Sequence, residues 1–415
     1  MSDDPVLTRR SFLAGAAAAA AVGLAGCSKS VTTVSRTPSP TNTVSPLPLP
    51  TLKSGGCAPA AAGDATDVPL WRTAIERGLV YGSSTATWQI SDPQYRRLFE
   101  KEASILFTED DLLWYRLRPK PTSGLDFSYG DRIVSFARDN GMLVFGAHLA
   151  WDQGFGDGWS QGELFGLGYN RARHLLFGTI HSAVSRYRGK VAAWSTVNES
   201  IDDSGIRRDV PWYQTIGPSY IEESFHTAHQ ADPHALLVLN EFGFETDDPN
   251  GKATDKRAAT LNVLDELLAK KVPVHALGIQ AHLDGAYFNF FFDPKAYRKF
   301  LKEVADRGLK ILITELDVLD NTMPAAACPR DKAVADIYRK YLDAALEEPD
   351  VVALMTFGLS DRYTWLQEDF PRDDGAHRRP LPFDTKLRPK PAFKALQDGL
   401  QNARRRHLFW RPPRA

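Results

Sequence analysis

The chain has 415 residues, 43% of them hydrophobic and 11% aromatic, which is enough for one large core. Its formal net charge is -1, so nothing in it favours nucleic acid or an anionic surface as a partner. It has three cysteines and no zinc-type Cys/His spacing, which argues against a metal-stapled module.

The N-terminus reads as an address. Arg9 and Arg10 precede Ser11-Phe12-Leu13 and an apolar run that closes on Leu24-Ala25-Gly26-Cys27. The run is about 16 residues long, short for a membrane span. The pattern resembles a twin-arginine export signal joined to a bacterial lipoprotein processing site, which implies acylation of Cys27. Residues 1–27 are therefore expected to be a signal peptide. Residues 28–66 are rich in Ser, Thr and Pro and are expected to be a disordered tether. The protein would be exported and lipid-anchored in the cell envelope, in the periplasm or at the cell surface. Cys57 and Cys328 are then expected as unpaired thiols, in a compartment that permits a bridge.

From residue 67 to 400 the texture alternates between strand and helix. "ERGLVYGSSTA", "RDNGMLVFGAH", "YRGKVAAWSTVNE" and "DRGLKILITELD" share one device: a polar helix end, a glycine, then a β-rich run. Gly78, Gly141, Gly189 and Gly308 are placed as left-handed helix caps. "LLWYRLRP", "ALLVLNEFG", "ALGIQAH" and "VVALMTFGLSD" complete eight candidate strands. Ile221, Phe225 and Ala228 mark one face of an intervening helix. Eight strand-then-helix units predict an α/β fold, a (β/α)8 TIM barrel. An open doubly wound sheet is the alternative, but no G-x-G-x-x-G follows the first strand. The basic segment 401–415 is expected to be a solvated tail.

Polar residues gather at the predicted strand ends: Trp114, His148 and Trp151, Asn198-Glu199, Asn240-Glu241, Gln280 and His282, Glu315 and Asp317, and Asp361. Chemistry in a barrel sits at those ends. Glu199 on the fourth strand and Glu315 on the seventh lie across the mouth from one another. Paired carboxyls flanking a bond are what glycoside hydrolysis requires, one protonated and one ionised. No metal or organic cofactor is called for, because the two carboxyls carry the proton and group transfer.

"WSTVNE", "GIQAH" and "ITELDV", with "YGSSTATWQ", "NEFGFE" and "LPFDTKLRPKPAF", resemble glycoside hydrolase family 10, the retaining endo-1,4-β-xylanases. The resemblance spans about residues 77–395. It implies that Glu199 is the acid/base and Glu315 the nucleophile of a double displacement on a β-1,4-linked polysaccharide. It further implies that Asn198 meets the 2-hydroxyl of the cleaved sugar and Gln280 sits against the acid/base. His282 would hold the nucleophile, with Asp317 positioning that histidine. Glu109, Asp110, Trp114, Trp151 and Trp365 would contact sugar, and Trp88 is an ambiguous aromatic. The partner is then a polysaccharide, and a monomer is expected.

The sequence also departs from that family. In "EDDLLW", Asp110 replaces an Asn and Leu113 a Lys. In "GAHLAWD", Ala147 and Asp152 stand at two histidine positions, and His148 is expected to point away from the site. Phe357 replaces a Trp. Leu113 and Ala147 are expected to leave a roomier, apolar pocket, so the preferred sugar need not be plain xylan. A hydrolase of bacterial exopolysaccharide, or a non-catalytic glycan binder, are the alternatives.

Overall fold

A computed structural model describes residues 68–156 and 158–415. The calls on Cys27, Cys57, the signal peptide and the tether lie outside the described residues. Eight strands form the barrel: β1 (Val80–Thr85), β2 (Ile105–Thr108), β3 (Leu143–Gly146), β4 (Ala193–Asn198), β5 (Leu236–Glu241), β6 (Ala276–Ile279), β7 (Lys310–Leu319) and β8 (Val351–Thr356). Each pairs in parallel with the next, and β1 pairs with β8, so the sheet closes without an edge. The helices outside it are α1 (Pro93–Glu102), α2 (Ser128–Asp139), α3 (Tyr169–Arg186), α4 (Ser219–Ala231), α5 (Ala253–Ala269), α6 (Pro294–Ala305), α7 (Ala327–Ala345) and α8 (Pro391–Asn402). This is the (β/α)8 barrel that the alternation predicts.

Local signals explain much of it. Asp92 and Asp293 cap α1 and α6 by accepting main-chain N–H bonds, each followed by Pro at the first helical position. The apolar face of α4 is buried at Ile221, Phe225 and Ala228. The lumen is filled by side chains from the strands, among them Val80, Phe107, Phe145, Val238, Leu312 and Met355.

Three expectations are corrected. "LLWYRLRP" is not a strand; Trp114–Leu117 is a helical turn with Trp114 and Leu117 buried. Their three-residue spacing is helical, whereas β2 is the short apolar run "ILFT" just before. Cys328 is not a free thiol but disulfide-bonded, and its partner lies outside the described residues.

The basic segment after α8 is not a free tail, although Arg404, Arg405 and Arg411 are exposed. It crosses the N-terminal end of the barrel, where Leu408 and Trp410 pack against the lumen cluster. The Arg406 guanidinium donates to the main-chain carbonyls of Leu346, Glu348 and Val351 at 2.6–2.8 Å. The Arg414 N–H reaches Gly141 O at 3.0 Å, and its guanidinium lies 4.9 Å above the Trp71 ring. The segment thus supplies donors to main-chain carbonyls at the end of α7, at the start of β8 and in the turn before β3.

The four cap glycines all have positive φ, from 65° to 82°. Gly78 and Gly141 have a second duty. A Cβ on Gly78 would stand 2.0 Å from Arg406 O, and one on Gly141 2.9 Å from Arg414 Cβ, whereas Gly189 and Gly308 have open space. Gly78→Ala should therefore cost more than Gly308→Ala, which carries only the left-handed penalty of about 1 kcal/mol. Urea unfolding of the two variants checks this; equal losses would mean that the segment yields freely.

Candidate active site

Two register slips aim the key side chains. On β4, Ala193 belongs to the lumen and Ser195 bonds His148 there, so strict alternation would turn Val197 inward. The slip between Ser195 and Val197 leaves Val197 in the outer core and Asn198 at the mouth. On β7 a slip between Ile313 and Leu316 lets the adjacent residues Thr314 and Glu315 reach the same partner, Asn240. Both are irregularities of the bulge type, which re-aim side chains at barrel rims.

Asn240 is the meeting point. Its Nδ2 donates to Asn198 Oδ1 and to Glu315 Oε1, each at 2.8 Å, and its Oδ1 accepts from Thr314 Oγ1 at 2.8 Å. Asn198 and Asn240 are register partners on β4 and β5. Asn198 Nδ2 is buried and has no hydrogen-bond partner, so a donor stands ready beside the two acids.

Glu199 takes two hydrogen bonds: Gln280 Nε2 to Oε1 and Trp151 Nε1 to Oε2, both 3.0 Å. Its backbone is left-handed at φ 55°. That conformation is held by Glu199 N to Asn240 O at 3.0 Å and by Arg207 Nη1 to Glu199 O at 2.8 Å. The next two amides, of Ser200 and Ile201, donate to Glu241 Oε1 at 2.6 and 3.0 Å. Glu241 is fully buried and pairs with Lys256 at 2.8 Å.

Glu315 is 4% exposed. His282 Nε2 lies 3.3 Å from its Oε2, and His282 Nδ1 lies 2.8 Å from Asp317 Oδ1. Strand pairing sets this up, because His282 opens a short strand whose register partner on β7 is Asp317. Gln280 and His282 do not share one unbroken strand face; β6 ends at Ile279, and Ala281 between them is left-handed at φ 61°. Gln280 consequently meets Asn198 and Glu199, while His282 meets Glu315 and Asp317. Burial alone would lower the His282 pKa, but Asp317 and Glu315 raise it to about 10. Burial alone would raise Glu315, yet the bond and charge of His282, with His148 and Asn240, hold it below its usual range. The pair is an imidazolium beside a carboxylate.

Trp365 is half-buried and donates from Nε1 to Asp317 Oδ2 at 2.7 Å, with its ring against His282. Trp88 is 44% exposed and donates to Asp110 Oδ2 at 2.9 Å. Glu109 is buried and accepts from Ser84 and Gln89. Trp114 is not at the cleft: it is 1% exposed, packed against Phe155, Trp159 and Trp212, because its helical turn faces the core. Leu113 and Ala147 do not open a roomier pocket either, since each is 1% exposed within packed side chains. His148 does not point away: β3 stops at Gly146, so alternation does not extend to it. Its ring meets Phe107 and Trp151, its Nδ1 meets Ser195 Oγ at 2.7 Å, and its charge acts on Glu315. Asn240 and His148 carry more of the site than sequence reasoning assigns them. For Asn240 the signal was present, since "LNE" on the fifth strand repeats the "VNE" of the fourth. Among the described residues no group of three or more His, Cys, Asp or Glu side chains can hold a metal ion.

An ionised, buried carboxyl and a second carboxyl held by an amide and an indole, at the C-terminal mouth of a (β/α)8 barrel, define a glycosidase-type site. The family model of glycosyl hydrolase family 10 matches residues 70–399. Endo-1,4-beta-xylanase B of Thermotoga neapolitana is 30% identical over 80% of this chain and 91% of its own length. The beta-1,4-xylanase of Dictyoglomus thermophilum is 32% identical over 72% of this chain and 82% of its own. Among solved structures, native xylanase 10B of Thermotoga maritima superposes with a TM-score of 0.71 at 30% identity, covering 80% of this chain and 98% of that one. The chain belongs to glycosyl hydrolase family 10.

The His282 charge makes a linkage prediction. Its folded pKa, about 10, exceeds the ordinary 6.5, so its contribution to stability is full below pH 6.5 and is lost as pH rises toward 10. The stability difference between the wild type and His282→Gln should shrink over that range, by at most about 1.4 kcal/mol per pH unit. Urea titrations at several pH values measure it; a flat difference would mean that His282 is neutral when folded.

Proposed function

We propose that the protein hydrolyses the β-1,4-linked backbone of xylan with retention of anomeric configuration. The observation that carries this is the contrast between the two carboxyls. Glu315 is kept ionised by His282 and suits a nucleophile, while Glu199, held by Gln280 and Trp151, suits a proton carrier. In the first step a Glu315 oxygen attacks the anomeric carbon, the glycosidic C–O bond breaks, and Glu199 gives its proton to the leaving oxygen. In the second, Glu199 takes a proton from water, the water oxygen attacks the same carbon, and the ester to Glu315 breaks. The unpartnered Asn198 Nδ2 is placed to donate to a hydroxyl beside the reacting carbon. Trp365, Trp151 and Trp88 offer half-buried or exposed ring faces for sugar.

The names of the relatives support xylan as the substrate class, and one relative, xylanase 10B of Thermotoga petrophila, was solved in complex with xylobiose. They give no support to an exopolysaccharide substrate or to a binder without activity. We also propose that Cys27 is acylated and ties the enzyme to the cell envelope; labelled fatty acid should enter the wild type and not Cys27→Ser.

The test of the catalytic proposal is chemical. A 2-deoxy-2-fluoro xylobioside with a good leaving group should label Glu315, and Glu199→Ala should lose about 10²–10⁴-fold in kcat on xylo-oligosaccharides. Labelling elsewhere, inversion in the product, or a fully active Glu199→Ala would overturn the assignment.

A further inference from the structure

Asp152 follows Trp151 in the loop after β3, and the mechanism above does not use it. Its side chain is 12% exposed. Oδ2 accepts from Arg207 Nη2 at 3.1 Å, while Oδ1 is buried with no hydrogen-bond partner. A buried carboxylate oxygen left unpaired is costly and calls for an explanation. Two connections lead from it to Glu199. The preceding residue, Trp151, donates to Glu199 Oε2 at 3.0 Å. Arg207, from the hairpin after β4, also donates to Glu199 O at 2.8 Å.

The charges around Glu199 differ in how well they are matched. Glu241 at the end of β5 has Lys256 at 2.8 Å, and Glu315 on β7 has His282. Asp152 must share Arg207 with Asp209, whose side chain is 73% exposed. Two carboxylates on one guanidinium leave a residual negative charge. Water screens it at Asp209 but not at Asp152. Burial raises the Asp152 pKa to about 6; Arg207 opposes that rise and the charge of Glu199 adds to it, so the two carboxyls repel.

We propose that Asp152 is a positioning residue for the proton of Glu199: its buried, partly uncompensated charge disfavours a second carboxylate there, keeping the acid loaded as the leaving oxygen departs. The same repulsion strengthens Glu199 as the base that takes a proton from water in the second step. The inference rests on the reading of Glu199 as the acid/base.

The sign is fixed. Removing the negative charge makes ionised Glu199 less unfavourable, so the alkaline limb of kcat/KM moves to lower pH. For Asp152→Asn, which keeps an acceptor for Arg207, that limb on xylo-oligosaccharides should move down by at least about half a pH unit. On an aryl xylobioside with a dinitrophenolate leaving group, which departs without protonation, the loss should be much smaller. Asp152→Glu should restore the limb, and Asp209→Asn, which leaves Arg207 to Asp152 alone, should move it in the same direction as Asp152→Asn but by less. An unmoved limb, or equal losses on both substrates, would reduce Asp152 to a support for Arg207 and overturn the proposal. Thermal unfolding checks each variant, and Asp152→Ser replaces the Asn variant if that one does not fold. Glu199→Ala is measured alongside. If it too loses equally on both substrates, the acid/base reading fails; if it shows the leaving-group dependence and Asp152→Asn does not, only the role of Asp152 falls.

Discussion

Asn240 is the residue on which the site's geometry depends. One amide holds Asn198 on β4 and both Thr314 and Glu315 on β7. Asn198 directly precedes Glu199, so the two carboxyls are referenced to a single side chain. The arrangement is buried, and a buried amide missing one partner would bear its full desolvation cost, so the three strands have little freedom to drift apart. Around this hub each acid has separate company. Glu315 faces an imidazolium fixed by Asp317, and Glu199 faces neutral donors. Two side chains with the same ordinary chemistry are thereby given different characters by their neighbours.

Much of this was legible in the sequence. Glycine-led β runs alternating with amphipathic helices predicted the barrel, and carboxyls closing apolar runs marked its active end. What was hidden is instructive in physical terms. "LLWYRLRP" looks like a strand by composition, but Trp114 and Leu117 repeat at a helical interval, and the true second strand has only four residues. The motif around Trp114 points to a sugar contact, whereas its turn faces inward and buries it. Strict alternation fails at Asn198, at Glu315 and at His148, because a slip in register or the end of a strand changes which way a side chain faces. No local pattern in "STVNE" or "ITELD" reveals such a slip, since it depends on the neighbouring strand. The unusual residues Leu113 and Ala147 suggested empty space, but a core closes around small or apolar residues, and their meaning lay in packing.

The opposite end of the barrel follows a different logic. There no chemistry is needed, only donors for the carbonyls where strands begin and cover for the lowest lumen layer. The arginine-rich segment supplies both. Its positive charge suggested exposure, but Arg406 and Arg414 spend their N–H groups on main-chain oxygen. This is a use of guanidinium that charge counting does not anticipate. Gly78 and Gly141, chosen on sequence grounds as helix caps, also leave the room through which that segment passes.

The hydrogen bond from Arg406 N to Arg77 O joins the last stretch of chain to the turn just before β1. The chain therefore enters and leaves its folded body at one pole, with the two glutamates at the other. The two ends of the described fold are thus latched to each other on the side away from the cleft, where chain length can change without disturbing the two glutamates.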